Sequence, residues 1–272
     1  MKTISLFATL FLISISGFSQ TPPWVRYAPV YKTSPQTTTY TDITNGMVLG
    51  LPFSNSVSDS SLYGNNGTAH GSPGYTTGPG SVANTAIALT SSSQYVTGPA
   101  SHSLDITNGA ITISGWVYNT TSSGNYRQLI NKRISSTPAA AYGLCLFNAN
   151  NSLDFYYTYT NKFFIFIQST PTMNLNTWYF VAATYTWGNS SLAALYINGS
   201  AVAGSWAISG TGDPGAIPYS DATATVPLQI GQNDNGSESI QCNLTGWRIY
   251  NRSLAAGEIG TLYTNGVYGG MY

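Results

Sequence analysis

Charged side chains are scarce in this sequence. They make up 7% of the 272 residues, and their formal charges cancel to a net charge of zero. Proteins that bind nucleic acid through its phosphates carry a basic stripe or patch, and this chain has none. We therefore expect no nucleic acid partner. Hydrophobic residues make up 42% of the chain and 20 residues are tyrosine, which is enough to build a core and argues against disorder.

Residues that commonly carry catalysis are also few. Glu238 and Glu258 are the only glutamates, and no pair of acidic residues alternates along a strand-like run. Glycoside hydrolysis normally needs two carboxylates placed around the scissile bond. The two histidines, His70 and His102, have no serine or cysteine neighbourhood that would mark a nucleophile. The sequence therefore argues against an enzyme.

The chain has two cysteines, Cys145 and Cys242, and both lie in strand-like runs. In an oxidising compartment they could form one disulfide closing a loop of about a hundred residues, worth roughly 4–5 kcal/mol. The alternative is a pair of buried free thiols that pack as small hydrophobic residues. Sequence does not give the distance between them, so both interpretations stay open.

Long apolar runs are missing except near the N-terminus. There, Lys2 precedes the apolar run Ile4–Ile15, and small residues follow up to Ser19. This pattern is typical of a signal peptide, residues 1–19, cleaved near Ser19. The run is too short to span a bilayer, so we expect a secreted, extracellular protein without membrane insertion. Residues 20–41 are rich in Pro and Thr and predict an extended segment, with the folded domain in residues 42–272.

The segment Asn176–Gly199 predicts a β-hairpin at the centre of the fold. Two strand-like runs flank the polar turn Trp187–Ser191, and both runs carry apolar side chains on both faces. Strands that are apolar on both sides must be covered on both sides. This pattern places Trp178 and Phe180 in the core and leaves the turn as a candidate for outside contacts.

The rest of the chain predicts roughly a dozen short strands separated by regular turns. The only helix-like piece is Leu254–Tyr263, near the C-terminus. This arrangement predicts an all-β fold, a two-sheet antiparallel β-sandwich of jelly-roll type with one short C-terminal helical turn.

Four stretches between residues 43 and 264 resemble, in family order, the laminin G-like and concanavalin A-like jelly-roll domains, especially their bacterial, pentraxin-like branch. They are VLGLPFSNSVSDSSLYGNNGTAHGSPGY, SLDITNGAITISGWVY, NTWYFVAATYTWGNSSLAALYINGSAVA and LTGWRIYNRSLAAGEIGTLY. The resemblance implies the jelly-roll fold, and it does not by itself imply a particular ligand or activity.

The resemblance also implies one structural Ca²⁺. Similar proteins hold the ion with an Asp in the early loop and an Asp on the closing strand. Asp59 matches the first position, Asn66 in the same loop could add an oxygen ligand, and Thr245 stands at the second position. The alternative is that Asp59 caps a turn through hydrogen bonds to its own backbone.

Candidate ligand contacts come from aromatic residues, since glycan sites combine aromatic platforms with polar donors. Trp187 and Trp206 stand at the ends of strands, and Tyr157 belongs to an aromatic cluster around one predicted hairpin. The alternative is that alternate aromatic residues fill the core and the others cover the outer face of the sheet.

Together these patterns predict a secreted, non-catalytic recognition or adhesion module that binds a glycan or a cell-surface protein. A second hypothesis is a structural or assembly subunit of an extracellular polymer, in which copies of the chain self-associate. A third is a glycoside hydrolase of the glucanase type, which the scarcity of paired carboxylates disfavours.

The calcium hypothesis makes a direct prediction about stability. An ion bound at Asp59 in the folded state alone would stabilise that state, so a chelator would lower the melting temperature. Calorimetry with excess Ca²⁺ and with EDTA measures the difference. Identical melting curves would show that no Ca²⁺ ion stabilises the fold at Asp59.

Overall fold

Two antiparallel sheets of eight strands each form the protein. The computed structural model describes residues 43–134, 139–148, 150–160, 162–171, 173–207, 212–217 and 226–267. The predicted signal peptide and the Pro- and Thr-rich segment lie outside these residues. The predicted architecture, an antiparallel β-sandwich with a C-terminal helix, is confirmed.

The first sheet has the strand order β13-β12-β11-β6-β16-β4-β3, and β1 pairs with β16 beside this path. Strands are numbered along the whole chain. The members of this sheet are β1 Met47–Leu51, β3 Gly74–Thr76, β4 Ala86–Leu89, β6 Ala110–Asn119, β11 Trp178–Thr186, β12 Ala194–Ile197, β13 Ser200–Val202 and β16 Cys242–Tyr250.

The second sheet has the strand order β14-β10-β9-β8-β7-β15-β5-β2. Its members are β2 Thr68–His70, β5 Tyr95–Thr97, β7 Tyr126–Ile134, β8 Ala139–Phe147, β9 Ser152–Tyr159, β10 Lys162–Gln168, β14 Gly204–Trp206 and β15 Gln229–Ile230. Short 3₁₀ turns occupy Pro79–Ser81, His102–Leu104 and Ser190–Leu192.

The predicted central hairpin is confirmed. Strands β11 and β12 pair antiparallel with Val181 opposite Ile197, and β11 pairs along its whole length with β6. The alternation of the strand sends Val181 and Tyr185 into the main core between the sheets and Phe180 to the opposite face. Both faces of β11 are therefore buried, as its two-sided apolar pattern predicts.

The α-helix found among the described residues, α1 Ala256–Val267, covers the outer face of the first sheet. At twelve residues it is longer than the single turn that the sequence predicts. The side chain of Trp116 on β6 contacts it, with ring centroids 5.6 Å from Phe180 and 5.5 Å from Tyr263. Because the helix sequence is rich in glycine and β-branched residues, tertiary packing against these aromatic rings supplies much of its stability.

An ion pair fixes the start of this helix. Arg252 donates to both carboxylate oxygens of Glu258 at 2.9 and 2.6 Å, and Glu258 also accepts from the backbone N–H of Ala255. These hydrogen bonds hold the pKa of Glu258 at about 2, below its ordinary value, mainly through the contact with Arg252. Glu258 thus has a structural role at the helix N-terminus.

The proposed disulfide between Cys145 and Cys242 is not formed. Both are buried free thiols. Cys145 lies on β8 of the second sheet and faces away from the main core, whereas Cys242 lies on β16 of the first sheet and packs within that core. The two sulfurs are therefore on opposite sides of the second sheet, so the alternative of two buried thiols applies.

The four strands at the ends of the two sheets are all short. Strands β13 and β3 flank the first sheet, β14 and β2 flank the second, and each has three residues. Short edges offer few unpaired backbone groups to another chain. Among the described residues, no helix is long and apolar enough to cross a membrane.

Close packing in the centre of the first sheet leaves no room for a side chain at Gly115 on β6. A Cβ atom at this position would lie 2.4 Å from the indole of Trp247, which is fully buried. We predict that Gly115→Ala lowers the free energy of unfolding by about 1–3 kcal/mol, since the indole must move within a packed core. Gly74→Ala on edge strand β3, where a Cβ would meet nothing within 4 Å, is the matched control. Equal denaturation midpoints for both variants would contradict the prediction.

Candidate functional site

The outer face of the second sheet carries a small apolar cluster separate from the main core. It consists of Cys145 on β8 and Tyr156 on β9, packed with Phe163 and Ile165 on β10. The intervening residues on these strands, such as Phe155, face the opposite way and fill the main core. The period of two along the strands thus places apolar side chains on a face that no described helix covers.

A cleft of about 220 Å³ opens over this cluster. Side chains from four strands and one loop line it, namely Tyr126, Gln128, Arg133, Cys145, Tyr156, Phe163, Ile165 and Glu238. Its volume is below the roughly 300 Å³ at which drug-sized ligand pockets begin. The cleft is therefore the size of a single small ring.

A chain of hydrogen bonds crosses the cleft. The hydroxyl of Tyr156 donates to Oε1 of Gln128 at 2.7 Å, and the amide of Gln128 donates to Oε2 of Glu238 at 2.7 Å. The guanidinium of Arg133 lies 2.6 Å from the same oxygen of Glu238. Its carbon is also 5.3 Å from the centre of the Phe163 ring, a cation–π distance. These bonds fix the polar atoms of the cleft relative to its aromatic wall.

Glu238 reaches the cleft from the loop between β15 and β16. Its carbonyl accepts from the backbone N–H of Gln128 at 3.1 Å, which ties the loop to β7. Its own N–H donates to the side chain of Asn233, whose amide donates in turn to the hydroxyl of Ser237. The loop is therefore held by its own side chains, and Glu238 is positioned before any ligand arrives.

A second cavity, polar and about 490 Å³ in volume, adjoins the cleft. It shares Tyr126 and Glu238 with the cleft, and its other walls are Ser123, Gly124, Asn125, Ser237 and Ser239. The ring of Tyr126 rests against Phe147, with centroids 4.8 Å apart, and 36% of the residue is exposed. Tyr126 thus stands as a partly exposed aromatic wall between an apolar and a polar compartment.

The cleft is lined by one positive and one negative side chain. Burial raises the pKa of the Cys145 thiol and of the Tyr156 hydroxyl well above their ordinary values, and burial also raises the pKa of Tyr126. All three are neutral at physiological pH. Among the residues that line the cleft, the charged pair is Arg133 and Glu238, and the two charges offset each other.

A buried carboxylate lies under the same face of the sheet. Asp154 on β9 is paired across the ladder with Cys145, and its Oδ1 accepts from the hydroxyl of Ser152 at 2.9 Å. Its Oδ2 has no hydrogen-bond partner among the described residues. Burial raises the pKa of Asp154 to about 7, although the bond from Ser152 opposes the shift.

The aromatic residues predicted as ligand contacts are in the core instead. Tyr157 is fully buried and Trp187 is 6% exposed. Their rings pack with those of Tyr185 and Trp206 between the sheets, at centroid distances of 5.3 to 6.2 Å. Trp206 is partly buried, and its indole N–H donates to the carbonyl of Ser190. Tyr157, Trp187 and Trp206 therefore pack in or against the main core, and this corrects the predicted exposure.

The carboxylate of Asp59 is surrounded by donors. Oδ1 accepts from the N–H groups of Gly50 and Ser61, and Oδ2 accepts from the Ser61 hydroxyl and the N–H of Asn65. Asn66 turns its Oδ1 back to the N–H of Asp59 at 2.9 Å. A Ca²⁺ ion needs several oxygen atoms facing one point, so this donor set does not fit the ion.

The second implied ligand position gives the same result. The hydroxyl of Thr245 donates to the carbonyl of Pro52 at 2.8 Å, which ties the closing strand to the loop directly. Among the described residues, no group of three or more His, Cys, Asp or Glu side chains could hold a metal ion. The geometry favours the alternative in which Asp59 caps a turn, and the chelation experiment decides between the two.

Sequence reasoning missed most residues of the cleft. The sequence indicates an aromatic cluster around the hairpin that contains Tyr157, and it marks Glu238 only as a glutamate without an acidic partner. Its actual partners are Gln128 and Arg133, on a strand more than a hundred residues earlier in the chain. The available signal was the alternation along β9 and β10, which predicts an apolar outer face and hence something to cover it.

A two-sheet sandwich with a cleft of aromatic and polar side chains defines a jelly-roll domain of the lectin-like class. Residues 90–260, more than half of the chain, match the laminin G family model described as the concanavalin A-like lectin/glucanases superfamily. The chain therefore belongs to this superfamily. No curated protein matches the chain.

Several solved structures share the fold. The binding domain of Paraclostridial mosquitocidal protein 1 aligns with a TM-score of 0.62 at 17% identity. The ligand-binding domain of botulinum neurotoxin serotype D, in complex with N-acetylneuraminic acid, aligns with 0.60 at 17%. The binding domain of botulinum neurotoxin DC, in complex with rat synaptotagmin II, aligns with 0.58 at 15%.

Each alignment covers 82% of this chain and 52% of the toxin chain, so this chain spans about half the length of those domains. At this identity the likeness shows the fold alone. Two of these neighbours hold a bound partner, N-acetylneuraminic acid in one and rat synaptotagmin II in the other.

The raised pKa of Asp154 predicts an unusual dependence of stability on pH. The unfolded chain loses this proton near pH 4, whereas the folded protein keeps it to about pH 7. Protonated Asp154 therefore leaves the free energy of unfolding undiminished below pH 4. Its ionisation lowers this free energy between pH 4 and pH 7, by on the order of a few kcal/mol above that range.

We predict that Asp154→Asn raises the free energy of unfolding at pH 8 and changes it little at pH 4, measured by urea denaturation across this range. Asp213→Asn is the control of opposite sign, because hydrogen bonds from Ser190 and Gly215 lower the pKa of the exposed Asp213. A pH-independent effect of Asp154→Asn would show that the carboxylate is ionised throughout.

Proposed function

We propose that this protein is a secreted, non-catalytic recognition module that binds glycans through the cleft on the outer face of its second sheet. The observation that carries the proposal is the composition of the cleft. Aromatic rings from Tyr126, Tyr156 and Phe163 stand beside the amide of Gln128 and the carboxylate of Glu238. Sugar rings offer one apolar face and a rim of hydroxyls, which this pairing of surfaces suits.

The two adjoining compartments suit a glycan better than an isolated monosaccharide. The cleft accommodates one ring against its aromatic wall, and the neighbouring polar cavity, lined by serine hydroxyls and Asn125, accepts the next unit. Tyr126 and Glu238 border both compartments and would contact both units. The neighbouring structures support a binding role, since one holds N-acetylneuraminic acid and another holds a membrane protein.

Two observations weigh against the other hypotheses. Glu238 is the one carboxylate that lines the cleft, and it is engaged by Arg133 and Gln128, whereas glycoside hydrolysis normally needs two carboxylates around the substrate. Assembly by strand exchange needs long free edges, whereas the strands at the ends of both sheets in the described part of the chain have three residues each. Strand β1, beside β16, has five residues, but it is buried and its Gly50 is hydrogen-bonded to Asp59 and Ser60. Signal-peptide cleavage near Ser19 and secretion are part of this proposal.

The proposal predicts that Tyr126→Ala weakens glycan binding by at least about tenfold, since a stacked aromatic ring and the shared wall are both lost. A glycan array finds the ligand, and calorimetry measures its affinity for each variant. Tyr63→Ala is the matched control, because Tyr63 is also a partly exposed tyrosine but lies in the Asp59 loop.

An array without hits for the wild type would overturn the glycan proposal. If pull-down from cell surfaces then recovered a protein, and the same Tyr126→Ala change abolished capture, the cleft would be a protein-binding site. Equal affinities for the Tyr126 and Tyr63 variants would place glycan binding elsewhere on the molecule.

A further inference from the structure

We propose that Glu238 sets the specificity of the cleft by making it select uncharged glycan ends over acidic ones, such as those ending in sialic or uronic acids. This inference rests on the proposed function and names its ligand class. The inference follows from the ion pair of the one cation that lines the cleft. Binding an acidic sugar requires a positive group that no other carboxylate already neutralises.

The cation in question is Arg133, and its charge is already compensated. Its guanidinium lies 2.6 Å from Glu238, and the side chain is only 17% exposed. The guanidinium carbon lies over the ring of Phe163, 5.3 Å from its centre. Its Nε has no hydrogen-bond partner among the described residues, but this atom is buried. An incoming carboxylate would therefore have to compete with Glu238 for the exposed part of the guanidinium, and it would bring two anions together in a partly buried site.

Arg133 is the one cation among the residues that line the two compartments. Arg127 acts electrostatically on Cys145, but it is fully buried, lines neither compartment, and donates to the carbonyl of Asn148 and to Oδ1 of Asn151.

Apart from Arg133 and Glu238, the residues that line the cleft are neutral tyrosines, an amide, a thiol, Phe163 and Ile165. The residues that line the adjoining polar cavity, apart from the shared Glu238, are uncharged as well. Below the same face, Asp154 becomes negative as the pH rises past about 7. Among the residues that line the two compartments, an acidic sugar therefore meets no cation besides Arg133.

The same carboxylate favours neutral sugars. Glu238 is partly exposed, at 19% of its side chain, and it borders both compartments. A carboxylate accepts short, charge-assisted hydrogen bonds from neighbouring hydroxyls of a sugar ring, and such bonds are about twice as strong as neutral ones. Glu238 thus contributes to both the attraction of hydroxyls and the rejection of anions, which is how binding sites commonly achieve specificity.

The test compares the wild type with Glu238→Gln on pairs of oligosaccharides of equal length that differ in one terminal acidic group, for example cellobiose with cellobiouronic acid and galactosyllactose with sialyllactose. For the wild type we expect the neutral member of a pair to bind at least about tenfold more tightly. In Glu238→Gln, Arg133 no longer has a carboxylate partner. The ratio of the affinity for the neutral member to that for the acidic member should therefore fall by at least about fivefold. The gain for the acidic member should shrink in high salt, because it depends on an exposed charge.

Glu258→Gln is the matched control, since Glu258 forms an equivalent ion pair with Arg252 at the start of α1, among residues that line neither compartment. Its neutral-to-acidic ratio should equal that of the wild type. Melting curves of both variants establish that each is folded. An unchanged ratio in folded Glu238→Gln would overturn this inference.

Two further outcomes separate this inference from the function on which it rests. If the wild type binds acidic members as tightly as neutral ones and Tyr126→Ala still abolishes binding, the cleft is a glycan site but Glu238 does not select its ligands. If no member of any pair binds, the proposed function and the inference fall together.

Discussion

The whole structure depends on one constraint, the need to bury strands that are apolar on both faces. Strand β11 and its neighbour β6 put one set of side chains into the main core and another on the outer face of their sheet. The first set is covered by the second sheet. The second set is covered by helix α1, whose own sequence has little tendency to be helical. The C-terminal helix is therefore best understood as part of the sheet's cover, held by Trp116, Phe180 and Tyr263.

The outer face of the second sheet must also be covered, and it is covered in a different way. This face also carries apolar side chains, among them Cys145 and Tyr156, yet no helix among the described residues lies over them. Part of this face is covered by the loop that carries Glu238, together with the side chain of Arg133 from β7. The part that stays open is the cleft. The binding site we propose is thus the portion of a two-sided sheet that the described part of the chain leaves uncovered.

Sequence could predict the sandwich because the alternation of side chains along β6, β9 and β11 is a local property. It also predicted the hairpin and the position of the helix. The cleft was beyond reach because Gln128, Arg133 and Glu238 meet only after two distant segments pair, and nothing local marks that encounter. Trp187 was misjudged because an aromatic side chain at a strand end can point either into the sandwich or out of it, and here it points in. Tyr157 was misjudged because both faces of its strand carry aromatic residues, so the sequence does not show which set faces the core.

The short edge strands have a consequence for the behaviour of the protein in solution. A molecule with no net charge has no long-range repulsion to keep its copies apart. Geometry still limits backbone pairing between molecules, since the strands at the ends of both sheets have three residues each and the five-residue strand β1 is buried. A barrier of this kind does not depend on charge, so it is insensitive to ionic strength.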